Sequence, residues 1–177
     1  MSASMFVQSS TVGVDLNNQS ATALFAVGTH VLGNNNSEWV YVMAQTTISS
    51  VSWVAFNATY SAGMASAGDC QIEANSFGLA NAQISASSYG WVAIRGNGLS
   101  GLFTGTGSLA PTSGQLQLAA SAGATGTMMV GTVGTASCTM IGVALAATAS
   151  ASASGLGTGA ANVCLFNLWY PPRPIVP

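Results

Sequence analysis

A chain of 177 residues with two basic and four acidic side chains, no lysine and a formal net charge of −2 is unlike ordinary soluble domains, where about 25% of residues are charged. Two arginines are too few to hold nucleic acid, because affinity for phosphate scales with the number of Lys and Arg contacts. The longest apolar stretch, Met140 to Ala147, falls far short of the roughly 20 residues of a membrane-spanning helix.

The length fits one domain with a core of its own. The charges are Asp15, Glu38, Asp69, Glu73, Arg95 and Arg173, with no charged side chain between the two arginines. A free protein normally keeps itself soluble with charges of both signs. Here the surface must be Ser, Thr, Asn and Gln, or it must meet other protein, since contact cores are depleted of charge. Disorder is not expected, because 49% of residues are hydrophobic and net charge is low.

Residues 1–22 lack periodicity, are rich in Ser, Asn and Gln, and read as an N-terminal arm. The domain body is expected over 23–168. Ala26 to Leu32, then Gly33 to Ser37, then Glu38 to Met43 read as a hairpin: β-branched and aromatic runs flank a Gly/Asn cluster. Val51 to Phe56 is a third strand, Asn57 to Tyr60 its extension or a turn, and Ser61 to Gly68 a loop of small residues. Asp69 to Ser76 reads as a strand or a short helical turn. Tyr89 to Gly96 is the clearest strand in the middle of the chain. Further strands are expected near Gln115–Ala119, Thr127–Val133, Cys138–Leu145 and Asn162–Leu168, with a long Ala/Ser/Gly loop over 147–161. Scattered glycine disfavours helices. The pattern predicts an all-β fold, a compact antiparallel barrel or sandwich. The tail over 169–177 holds Pro171, Pro172, Pro174 and Pro177 and is expected to be extended, outside any central strand.

Few residues invite chemistry. Gly96-Asn97-Gly98-Leu99-Ser100-Gly101 matches a dinucleotide-binding spacing. No helix pattern and no acidic residue follow it, so it reads as a Gly-rich β-turn. A P-loop is excluded because it needs a lysine. His30 is the single histidine, on a strand pattern, and no Gly-x-Ser-x-Gly elbow accompanies it. His30 with Cys70, Cys138 and Cys164 could total four zinc ligands, but the usual paired spacings are absent. The cysteines read instead as reduced, buried, small hydrophobes. Asp69 and Glu73 are a close acidic pair, read as a solvated turn or a contact between subunits. Arg95 ends a strand and is expected to pair with a carboxylate. Asn18-Gln19-Ser20, Asn35-Asn36-Ser37 and Asn57-Ala58-Thr59 fit the glycosylation pattern. They are discounted, because Met1 to Ser10 carries neither a basic segment nor a long apolar run and folding in a cytoplasm is expected. No catalytic residue, cofactor or metal is assigned.

The segment Ile84 to Gly96, with Tyr89-Gly90-Trp91-Val92 at its centre, resembles a strand of small structural proteins of tailed phages. Glu38-Trp39-Val40-Tyr41-Val42-Met43-Ala44 upstream looks like their Trp-Val-Tyr-Val strand. Gly114 to Leu118, Met140 to Leu145 and Val163 to Phe166 look like their late strands. The resemblance covers roughly residues 26–168, without the arm or the tail. It implies a capsid cement (decoration) protein with a β-tulip-like barrel, often a homotrimer. The implied partner is the major capsid protein of the same phage, on the outer surface of the shell, with neither nucleic acid nor membrane bound. Arms that lace subunits would then be removable: deletion of 1–22 or 169–177 is expected to weaken association and spare the barrel. The competing reading is a tail-fibre or other tail component that recognises host glycans, with Trp39, Trp53, Trp91 and Tyr89 as a stacking platform. Exposed aromatics would favour it, and buried ones the cement reading. A membrane β-barrel fits less well, because the expected strands are shorter than about 9–11 residues.

Overall fold

A computed structural model describes residues 4–5, 14–33, 36–66, 68–69, 72, 75–104, 116–118, 127–130, 138–148 and 162–175. The strands are β1 (Ser4–Met5), β2 (Val14–Asp15), β3 (His30–Leu32), β4 (Glu38–Ala44), β5 (Trp53–Phe56), β6 (Ser61–Met64), β7 (Ser76–Ala80), β8 (Tyr89–Thr104), β9 (Leu116–Leu118), β10 (Thr127–Val130), β11 (Cys138–Thr148) and β12 (Asn162–Ile175). No α-helix occurs among the described residues, and the all-β expectation holds.

Five strands close into a barrel. β4 pairs with β8, β8 with β7, β7 with β5 and β5 with β6, all antiparallel; β6 then returns to β4 in parallel. Alternation sorts the side chains by face, as the two-residue repeat of a strand requires. Val40, Val42 and Ala44 of β4, Val54 and Phe56 of β5, Ala62 of β6, Ala80 of β7, and Val92 and Ile94 of β8 form one buried cluster. All five strands contribute to it, and only Ile48 and Ile84 join from the connections, so this cluster is the barrel interior. Those two isoleucines face each other in a β-bridge between the 45–52 and 81–88 connections and close one end. A five-stranded barrel has a narrow bore, which side chains alone fill. Gly78 shows how narrow it is: a Cβ there would lie 2.4 Å from the Ala93 carbonyl oxygen.

The residues of opposite parity build a second core outside the barrel. Trp39, Tyr41, Trp53, Phe77, Leu79 and Trp91 lie under Val14, Leu16, Val31, Ala65 and Leu168. Trp53 is fully buried. A side chain of that size covers roughly 200 Å², a gross gain of about 5 kcal/mol before the entropy of ordering is subtracted. The expected boundary at residue 22 is therefore corrected. Val14, Asp15 and Leu16 alternate buried, exposed, buried, and Ser20 forms a two-way backbone bridge with Tyr89 (3.0 and 2.8 Å). Residues 14–20 belong to the domain, and deleting 1–22 would uncover tryptophan.

β8 leaves the barrel at Gly96. Its first half pairs with β4 and β7; its second half pairs with β12 and, in parallel, with β10. β10 pairs with β9, β9 with β11, and β11 with β12, so these pairings also return to β8. The glycine-rich segment expected as a β-turn is instead this corner inside one strand. Gly96 (φ 145°) and Gly98 (φ 65°) have backbone angles that L side chains rarely adopt, and a Cβ at Gly96 would lie 2.9 Å from that of Ser37.

Two more expectations change. Ser61 to Gly68 was expected as a loop, yet Ser61–Met64 is β6, recruited because the gap between β5 and β4 can be closed only by a strand. The tail expected to avoid a central strand continues β12 to Ile175. Ile141 faces Arg173 and Val143 faces Leu168, so Trp169 to Pro172 stand opposite Gly142 alone. Pro171 and Pro172 therefore sit in a bulge, and the β8 side of β12 is paired only over Asn162–Leu168; both places tolerate a missing N–H. The 26–32/38–43 hairpin is found as β3 and β4 in antiparallel register, and the 51–56 strand as β5. The late strands lie near their expected positions. Of the 147–161 loop, 149–161 lie outside the described residues.

Candidate functional site

The proposed aromatic platform is consumed by packing. Trp39, Trp53 and Trp91 are 4%, 0% and 3% exposed, and Tyr89 is half-buried. Tyr41 is the centre of a ring cluster, 4.9 Å from Trp91, 5.4 Å from Phe25 and 6.0 Å from Tyr89 between centroids. The Tyr41 hydroxyl accepts a hydrogen bond from the Leu24 amide at 3.2 Å. These rings dock residues 20–29 onto the barrel, and Phe25, Tyr41 and Trp91 line a cleft of about 200 Å³ beside Asp15, Asn18 and Ser20. The segment they dock carries apolar residues outward: Leu24 is 62% exposed and Val27 is also exposed, as is Leu32 at the end of β3.

His30, Glu38 and Arg95 meet at the start of β4. Nδ1 of exposed His30 lies 2.7 Å from Glu38 Oε1, in hydrogen-bond contact. Arg95, inside β8 and not at a strand end as expected, is the register partner of Glu38, but no ion pair joins the two among the described residues. On this hairpin edge the imidazole is committed to a carboxylate. The four-ligand zinc set fails on placement. Cys164 faces Thr148 at one end of the β11–β12 ladder, and Cys138 precedes Thr139 at the other. They are roughly 30 Å apart along the strand, far beyond the about 7 Å between Cα atoms that a disulfide permits. No group of three or more metal-ligating side chains occurs among the described residues. Cys70 and Glu73 lie outside them, and with Glu73 the expected acidic pair.

A cleft of about 350 Å³ opens between the β5–β6 hairpin and the turn leading into β7. The hairpin is shaped by Asn57, whose Oδ1 accepts from the Thr59 amide (2.9 Å), the Thr59 hydroxyl (2.8 Å) and the Ser61 amide (3.1 Å). The turn is shaped by Asp69: its Oδ2 accepts from the Ser66 amide and hydroxyl, both at 2.7 Å. Asn75 Nδ2 donates to the Asp69 carbonyl at 3.1 Å. Ser61 Oγ is buried and has no hydrogen-bond partner among the described residues. Phe56, Met64 and exposed Ile72 supply apolar wall. The cleft was invisible in the sequence, because its walls come from separate segments around residues 45, 56, 61–64 and 69–75, and Ser61 to Met64 reads as a loop. The one local signal was the Asn-x-Thr turn next to a lone carboxylate.

No protein-family model, curated protein or solved structure matches this chain.

Proposed function

We propose that the protein is a tailed-phage capsid cement protein that binds the major capsid protein on the outer shell, as a homotrimer, and stabilises the junctions between capsomers. The observation that carries this reading is the near absence of charge: 3% of residues, with no lysine. Such an exterior suits a chain that works assembled, since charge is depleted at contact cores. The Tyr-Gly-Trp-Val strand and its neighbours add the resemblance to phage decoration proteins. Burial of Trp39, Trp53 and Trp91 supports this reading over the glycan-binding alternative, whose platform drew on those rings together with half-buried Tyr89. The mechanism is mass action: a protein that binds only the assembled shell shifts the equilibrium toward it. Exposed Leu24, Val27 and Leu32 are side chains that such a contact would cover. The test is sedimentation of the purified chain with shells of its phage that lack it, alongside light scattering of the chain alone. A trimer that saturates shells at fixed stoichiometry and raises their melting temperature is expected. A chain that stays in the supernatant at every concentration overturns the reading.

A further inference from the structure

We infer that the cleft between β6 and the residues Asp69, Ile72 and Asn75 is a socket for a cationic side chain, arginine or lysine, presented by the shell protein. The inference rests on the cement reading for the identity of the partner, but not for the chemistry of the socket. The chain has an excess of carboxylates and no lysine. Arg95 stands opposite Glu38 on the far side of β4. Asp69 is a half-buried carboxylate with no cationic partner among the described residues. Its Oδ2 is held by Ser66, which fixes the direction of the group. A carboxylate partly withdrawn from water gains most from a partner that brings charge and hydrogen-bond donors together.

The rest of the cleft fits such a guest. Ser61 Oγ is buried without a partner and can accept a donor. Asn75 and Gln45 offer amide oxygens, and Phe56 and Met64 line the path that the methylenes of a long side chain would take. Among the described residues no basic group lines the cleft, so an anionic guest finds no counter-charge on them. The volume of about 350 Å³ lies at the small end of ligand sites, enough for one side chain and too little for a large cofactor. Charge complementarity with a lysine-free, net-negative chain makes the guest basic and makes it come from another protein.

The experiment compares shell binding by the intact protein, Asp69→Asn, and the control Asp15→Asn, each at low and high salt. Asparagine keeps an oxygen for Ser66 and loses only the charge. Thermal melting of each variant confirms that the fold is retained. Asp69→Asn is expected to weaken shell binding about tenfold, the effect of losing one charge-assisted hydrogen bond, and to flatten its salt dependence. Asp15→Asn is expected to change neither. Equal binding by Asp69→Asn and the intact protein overturns the socket and leaves the cement reading standing. If the intact protein ignores shells, the cement reading falls and the socket is judged by NMR titration with arginine methyl ester. Saturable amide shifts at Ser61, Asp69 and Asn75 that vanish in Asp69→Asn support it, and their absence overturns it.

Discussion

Inside the barrel the buried side chains of the strands are Val40, Val42, Ala44, Val54, Phe56, Ala62, Ala80, Val92 and Ile94, with one aromatic ring among them; outside it, on the same strands, they are Trp39, Tyr41, Trp53, Phe77, Leu79 and Trp91, with Ala55 and Ala93. The usual arrangement, with bulk at the centre, is reversed. A bore that cannot admit a Cβ at Gly78 leaves no room for an indole. The inner core is complete once the five strands and the Ile48–Ile84 plug are in place. The outer core is not, because its roof comes from Val14 and Leu16 near one end of the chain and Leu168 near the other. The two cores thus differ in what they need: one is closed by local strands, the other by distant segments.

Three substitutions test that difference, the largest effect first. Trp53→Ala removes the largest fully buried side chain and is expected to cost about 4 kcal/mol; chemical denaturation measures it, and a loss below about 1 kcal/mol would mean the outer layer is not a core. Leu16→Ala thins the roof and is expected to cost about 3 kcal/mol, with a rise in binding of an apolar dye as the tryptophan face is uncovered. A stable, dye-silent Leu16→Ala would restore the removable arm expected from the sequence. Gly78→Ala adds one methyl to the bore and is expected to cost about 2 kcal/mol through overpacking. An unchanged midpoint would show that the bore has slack.

Each core was legible in the sequence to a different extent. Trp39 to Met43 and Tyr89 to Ile94 alternate within β-branched and aromatic runs, so their strands could be read directly. Their parity could not be assigned to inside or outside, because both faces are apolar and period two does not say which faces the bore. Ser61–Met64 and Ser76–Ala80 were not read as strands because Ser-Ala-Gly carries weak strand propensity and Gly78 interrupts Phe77 and Leu79. Pairing on both sides decides them. The glycines at 96, 98 and 101 read as a turn, because a corner within a strand and a turn have the same local composition. The Asp69 cleft was hidden for the same reason: its walls meet only after β6 closes the barrel.

Composition and local pattern by themselves determined the all-β class, the positions of the long strands and an exterior almost free of charge, because these depend on residue type and two-residue periodicity. Only the tertiary structure decided that the tryptophans lie outside the barrel, that residues 14–20 roof them and that Asp69 faces a cleft. Those outcomes depend on ring closure, which brings together segments far apart in the chain and limits the volume at the centre.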